Sequence, residues 1–450
     1  MTSTTHGISR REFFHAGALG GAFALVAGAG LAAPAQASPL ASAAFPFTPN
    51  QQLLDAFMAR RGGPIGTGGK PAIAFRCDHH LNKFQSLVLP LHQKYSIPVT
   101  IAAMSQMFKI DIGSNGSNNL SFPALQKLAL ENGLEIANHG GNHQDAPTDQ
   151  RLREEIVYSR AALSKSLPLL PIELFTPPGV AGTGYGGFDG GRSQYSFQRY
   201  SAGRLITQQH AMSTGYAPGY WPMTGNPLHS MGNVHIGLHT AEYIRRGPSF
   251  VQAAKAQGRG VCFMYHPSLV DSIDLAALDD FFAWCANERD AGRLEILTTT
   301  GLMMSSFNSS SRHNLLSRNA SFKTGWNGWN GAAAKWAIRN EFGFSYARRG
   351  SSSTSLSKDV PLGVHAGSVR QLRIPLRSTT GVRVQIEVLN AASGAPLRAA
   401  KDLVLPKSTV FKPLQQYLIL PLTGTPTVRL RITPRTGGEL HVQEPQMLAA

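Results

Sequence analysis

Residues 72–80 read AIAFRCDHH and residues 135–143 read EIANHGGNH. Each is a short apolar run that ends in histidines, and the first also carries Asp78. Runs of this length and composition read as buried strands. In α/β folds the chain leaves the C-terminal end of a strand into a crevice, where side chains meet ligands. His139 and His143 lie four residues apart, and a third imidazole is close by at the other strand end, where His79 and His80 stand. Three such imidazoles can surround a borderline divalent ion, zinc first among the candidates. Asp78 is left beside them for proton transfer. The pattern points to metal-assisted hydrolysis.

Outward from these two stretches, helical and strand patterns alternate. Residues 123–131 predict an amphipathic helix closed by Asn132-Gly133, with a strand over 134–137. A second helix is expected over 148–166, with Leu152, Ile156 and Leu163 on one face. Strands follow at 174–175, 260–265 and 294–298, with a helix over 275–288. Such βα alternation argues a largely parallel sheet or barrel. The glycine-rich run 179–191 lacks the Lys-Ser/Thr ending of a phosphate loop and reads as a mobile loop over the cleft. His235 and His239 repeat the four-residue spacing and are expected to line the pocket. The three cysteines make no disulfide framework. Cys77 and Cys262 sit on predicted strands as apolar fillers. A reactive thiol at Cys77 is the alternative, although strand alternation turns it away from Asp78.

Past a polar linker at 307–312 the pattern changes to short alternating runs, at 371–375, 382–389, 417–422 and 427–433, which predicts an antiparallel β-sandwich over 313–450. This region opens with Trp326, Trp329 and Trp336. Indoles there serve either as core or as a platform for sugar rings, and Trp326 and Trp329 are carried as candidate substrate contacts. Between residues 311 and 450 stand 19 Lys+Arg against 6 Asp+Glu, so this part holds +13 of the chain's +16. An anionic cell-surface polymer is the partner such charge suits. No nucleic-acid motif accompanies it, and nucleic acid is not expected.

The segment from about residue 70 to 303 resembles the polysaccharide deacetylase family, relatives of the nodulation-type chitooligosaccharide deacetylases. Residues 73–80 lie over that family's first motif, an apolar strand ending Phe-Asp-Asp-Gly. LVLPLHQKYSIPVT at 87–100 resembles its helix-then-strand step, and 133–143 its second motif. Pro177-Pro178-Gly179 resembles the third and Tyr265-His266 the fifth. The resemblance implies a deformed (β/α) barrel and removal of N- or O-acetyl groups from an acetylated polysaccharide with a divalent metal. By the same register it implies Asp78 as general base, His266 as general acid, His139 and His143 as ligands, and Pro177, Pro178 and Tyr265 as substrate contacts. His79 stands where the family has its ligand aspartate. A slipped register would instead make Asp78 the ligand and put Cys77 in the base position. The small residue expected after the ligand is here His80, which could approach the metal too. Thr176 replaces the family's arginine that holds the base, so another group must orient Asp78, and Arg76 shares its strand face. These losses leave open a degenerate protein that only binds glycan.

The N-terminus locates the chemistry. Ser9-Arg10-Arg11-Glu12-Phe13-Phe14 precedes an apolar stretch over 16–33 and the small-x-small site Ala35-Gln36-Ala37. This reads as a twin-arginine export signal over 1–37 rather than an uncleaved anchor. A periplasmic, extracellular or cell-surface location is expected. The resulting division is 1–37 signal, 38–66 lead segment, 67–306 catalytic domain, 307–312 linker and 313–450 sandwich.

Overall fold

Seven consecutive buried residues, Ala72–Asp78, form the central strand, β1, of a sheet of parallel strands. The structure is a computed structural model and describes residues 49–106, 120–215, 219–225, 235–317, 320–330, 335–341, 343–350 and 353–450. The expected export signal and residues 38–48 lie outside the described residues. Among the described residues no helix is long and apolar enough to cross a membrane.

The further strands of this sheet are β2 (Thr100–Ala103), β3 (Glu135–Asn138), β4 (Leu174–Phe175), β5 (Met212–Ser213), β6 (Trp221–Pro222), β7 (His235–Gly237), β8 (Arg259–Tyr265) and β9 (Glu295–Leu297). Their order is β5-β4-β3-β2-β1-β8-β6, with β7 beside β8 and β9 beside β1. Only the β6–β8 pairing is antiparallel among those described. β8 runs along Ile73–Cys77. The other edge of β1 is shared: β9 pairs with Ala72, Ile73 and Ala74, and β2 with Arg76, Cys77 and Asp78. The edge of β1 is thus divided between its two ends, with β2 on the end that leads into His79.

The helices start and stop where local chemistry dictates. Ser121 accepts the Ala124 N–H at the head of Phe122–Asn132, and left-handed Gly133 ends it. Asp271 and Asp274 form a reciprocal capping box on Ser272–Asp290. The helix expected over 148–166 is present from Asp149 to Ser166, with a wide π-type turn at Arg153–Tyr158.

Alternation along β1 sorts two cores. Ile73, Phe75 and Cys77 face the helices, where Phe75 stacks near Phe263 and meets Phe281 and Phe282 edge-on. Ala72 and Ala74 face the barrel interior with Ala137, Leu174, Met212, Trp221 and Cys262. Small residues on β1 leave the room that the Trp221 indole fills.

The C-terminal part is an antiparallel sandwich. One sheet runs Trp336–Glu341, Phe344–Arg349, Leu440–Gln443, Val369–Arg377, Lys412–Ile419, with Gln446–Ala449 beside Val369–Arg377. The other runs Leu356–Pro361, Thr427–Pro434, Val382–Asn390, Lys401–Leu405. Leu372, Ile374, Val384, Ile386, Leu430 and Ile432 meet between them. Trp329 and Trp336 belong to this core, so the expected sugar-platform role of Trp329 is corrected: its ring is packed beside Phe322 rather than presented to solvent. Trp326 is half-buried against the same core. Some of its arginines are paired across strands, Arg429 to Asp359 and Arg431 to Glu387 in two-bond forks, which leaves the net excess of basic residues in place.

The described residues fall within one compact unit. The expected linker is zipped onto the 66–69 backbone, with Gly66 N–H donating to Ser311 O and Gly68 N–H to Ser309 O, each at 2.7 Å. The sandwich docks on the N-terminal ends of the parallel strands, opposite the histidines. Tyr417 Oη donates to Ile296 O at 2.7 Å and Gln415 Nε2 to Asp290 Oδ1 at 2.9 Å. Arg61, buried, donates to Glu135 Oε1 at 2.6 Å and to Ala450 O at 2.7 Å. Removing one partner of a buried pair strands the other charge. Arg61→Ala is therefore expected to lower stability by about 3–5 kcal/mol, read as a shifted urea midpoint.

Candidate metal centre

β1 and β3 deliver the site. Both His79 and His80 adopt left-handed backbone, φ 43° and 53°, as does His143 at 57°. These turns swing the imidazoles back over the strand ends. The His79, His139 and His143 ring centroids stand 5.2–5.8 Å apart. One ligand atom from each lies within 4.8 Å of the others. The sequence-expected ligands are thus together.

Their chemistry fits a borderline cation. His139 Nδ1–H donates to Thr176 O at 2.8 Å, which leaves Nε2 for an ion, the usual second-partner arrangement of metal-bound histidine. His79 Nδ1 lies 2.8 Å from His80 Nδ1. Burial first, then neighbouring imidazoles, holds His79 well below the ordinary histidine value. Burial brings His139 down to about 4, against the pull of Asp78, and also lowers His143. All three are neutral near pH 7, the form that ligates.

Asp78 shares the interior face with Arg76. The guanidinium grips both carboxylate oxygens, Nε to Oδ1 and Nη2 to Oδ2, each at 2.8 Å. Burial alone would raise the Asp78 pKa. Arg76, His139 and His266 outweigh it and hold the carboxyl far below its usual range. Arg76 therefore orients Asp78 from within the same strand, as their shared strand face led one to expect. Cys77 points into the outer core and burial raises its thiol, which disfavours a nucleophile there.

His266 follows β8, with its ring 4.9 Å from His79, and its Nδ1 is 3.1 Å from His239 Nε2. Burial above all, partly opposed by Asp78, brings His266 to about 3. Gly237 is required for this pairing, since a Cβ there would stand 2.8 Å from the His239 ring. His235, paired with inward Cys262, is drawn to about 3 by burial and then by Arg76. Pro177 and Pro178 are buried against the loop, with Pro178 Cγ 3.6 Å from where a Gly140 Cβ would be. Tyr265 is a correction. It continues the outward parity of Val261 and Phe263, and its hydroxyl is hydrogen-bonded to His92 Nε2 at 2.7 Å, away from the cleft.

Sequence reading missed what holds the 139–143 loop. Glu155 accepts the Gly141 N–H at 2.7 Å, the Asn142 N–H at 3.2 Å and the Tyr185 hydroxyl at 3.1 Å. Ser159 donates to Asn138 Oδ1 and to Gly140 O, depending on hydroxyl rotation, both at 2.7 Å. Gly140 cannot carry a side chain: φ is +87° and a Cβ would lie 2.7 Å from Glu155 Oε2. A signal existed, because Glu155 and Ser159 fall on the same helical stripe as Leu152, Ile156 and Leu163. The glycine-rich run expected to be a mobile loop is tied down by Asp145, which accepts the Thr183 hydroxyl at 2.8 Å and the Tyr185 N–H at 3.0 Å.

Comparison with known proteins adds to this geometry. Residues 66–184 match the family described as Polysaccharide deacetylase. No curated protein matches the chain. Among solved structures, the chain is similar to the Xyl-CE4 domain of a multidomain xylanase from the hindgut metagenome of Trinervitermes trinervoides, at 16% identity over 52% of this chain and 89% of that one, TM-score 0.32. A mutant CE4 family pseudoenzyme with restored enzymatic activity matches at 13% identity over 52% of this chain and 68% of its own, TM-score 0.31. TmCBM61 in complex with beta-1,4-galactotriose matches at 15% identity over 31% of this chain and 99% of its own, TM-score 0.25.

Two further histidines serve the scaffold. His210 accepts from Asn138 Nδ2 at 3.1 Å, and His92 bonds Ile97 O and Tyr265. Burial brings both to about 3. Unfolded, each titrates at about 6.5, so the unfolded chain gains the proton first as pH falls. Their stabilisation is complete above about pH 6.5 and declines toward pH 3. Each should cost about 2 kcal/mol by pH 5. Urea unfolding at pH 7 and pH 5 should show the drop, and His210→Gln should reduce it by about that amount.

Proposed function

We propose that this chain is a metal-dependent hydrolase that removes acetyl groups from a polysaccharide, N-acetyl in preference to O-acetyl. The observation that carries the reading is the convergence of His79, His139 and His143, neutral and oriented, beside an ionised Asp78. A divalent ion held by those three, zinc first, would acidify water to a pKa around 7 and polarise the acetyl carbonyl. Asp78 takes the water proton, its orientation kept by Arg76. In its imidazolium form, which burial disfavours, His266 would give a proton to the departing nitrogen, with its Nδ1 held against His239 Nε2. Three neutral ligands give the site one more positive charge than a set containing an aspartate, which favours an anionic intermediate.

The family match over 66–184 supports a polysaccharide as substrate. Export by the twin-arginine route, to the periplasm or cell surface, is proposed from Arg10-Arg11 and the apolar run that follows. An anionic surface polymer is proposed as the partner of the basic C-terminal part. The domain limits 67–306 and 313–450 are proposed on the change from parallel to antiparallel pairing.

Elemental analysis with acetate release from acetylated glycans tests the reading. The purified chain should hold about one divalent ion per molecule. His139→Ala should lose it. Asp78→Asn should keep it and lose roughly a hundred- to ten-thousand-fold in turnover. A wild-type chain with neither bound metal nor acetate release would instead favour a glycan-binding protein on a deacetylase fold.

A further inference from the structure

His80 has no part in the chemistry above, yet it is buried, and its backbone is held in a conformation that side chains other than glycine adopt at a cost in free energy. Two successive left-handed residues, His79 and His80, bring their rings to 4.8 Å between centroids. Their Nδ1 atoms meet at 2.8 Å. A contact of that length between two ring nitrogens requires one N–H and one lone pair. If His80 were the donor, neutral His79 would carry its hydrogen on Nε2 and could not ligate. If His79 donates, its Nε2 keeps a lone pair for an ion shared with His139 and His143, whose rings lie 5.8 and 5.2 Å from its own.

We infer that His80 is a positioning residue for the metal: it accepts the Nδ1–H of His79, fixing both the tautomer and the ring plane of that ligand. The inference rests on the metal-site reading above. It gives His79 the counterpart of the Thr176 carbonyl that serves His139. A ligand histidine whose other nitrogen is unanchored keeps its place in the chain but loses affinity. Asparagine at 80 should substitute, because it tolerates left-handed backbone and its Oδ1, like Nδ1, is bonded to Cγ.

The test uses the metal-free full chain, with zinc affinity measured by competition against a chromogenic chelator. His80→Gly should bind zinc about 10- to 100-fold more weakly than wild type. Its metal-free thermal midpoint should be no lower, since glycine accepts the left-handed turn. His80→Asn should recover most of the affinity. X-ray absorption should count the same number of imidazoles on zinc in wild type and His80→Gly. Unchanged affinity in His80→Gly, or the loss of one imidazole from the count, overturns the inference, the latter because His80 would then itself be a ligand. If wild type takes up no zinc, the metal-site reading fails with it, and that result is distinct from either of the others.

Discussion

Parallel pairing of β1, β2 and β3 sets Asp78 beside Ala102 and Asn138 beside Ala103, so the two histidine-bearing chains leave the sheet at nearly one level. Every feature of the site depends on that register. A shift of β1 by one residue would turn Arg76 and Asp78 into the outer core and bring Cys77 inward. The interior alanines and the Trp221 that fills their space resist such a shift, because the reverse parity would drive Phe75 into the narrow interior.

On this frame the electrostatics follow from burial. The cleft gathers one carboxylate, one guanidinium and several imidazoles away from water. The guanidinium and carboxylate satisfy each other, and the imidazoles respond by remaining neutral. One nitrogen from each of His79, His139 and His143 lies within 4.8 Å of the others, a donor set that suits a divalent cation. The carboxylate helpers stand further out: Glu155 shapes the loop from behind, and Asp145 secures the segment over it. At the other end of the strands the sandwich forms a base for the barrel through Arg61, Gln415 and Tyr417.

Much of this was legible in the residues. Strand alternation was enough to place Arg76 with Asp78 and Cys77 opposite, and the four-residue spacing was enough to join His139 to His143. The same parity, applied to β8, would have turned Tyr265 outward with Phe263; the motif drew attention to the strand end and away from its pleat. Trp329 could not be resolved, since an indole in a loop is equally apolar whether it caps a core or faces a sugar. Glu155 bonds a loop more than ten residues away; its helical stripe marked it as buried but not as the partner of that loop. The contact of His80 with its neighbour His79 exists only because both residues take the left-handed turn, which spacing does not show. The docking of the sandwich was invisible for a similar reason: the polar run at 307–312 has a linker's composition, but its backbone is bonded to residues 66–69.

The central claim is that three side chains from two strand ends hold one cation. Anomalous diffraction from zinc-grown crystals, collected on both sides of the zinc edge, examines it directly. The account predicts a single strong peak about 2.0–2.1 Å from Nε2 of His79, His139 and His143, with Asp78 still gripped by Arg76. A peak bound by Asp78, or none at this cleft in protein that carries zinc elsewhere, would contradict it.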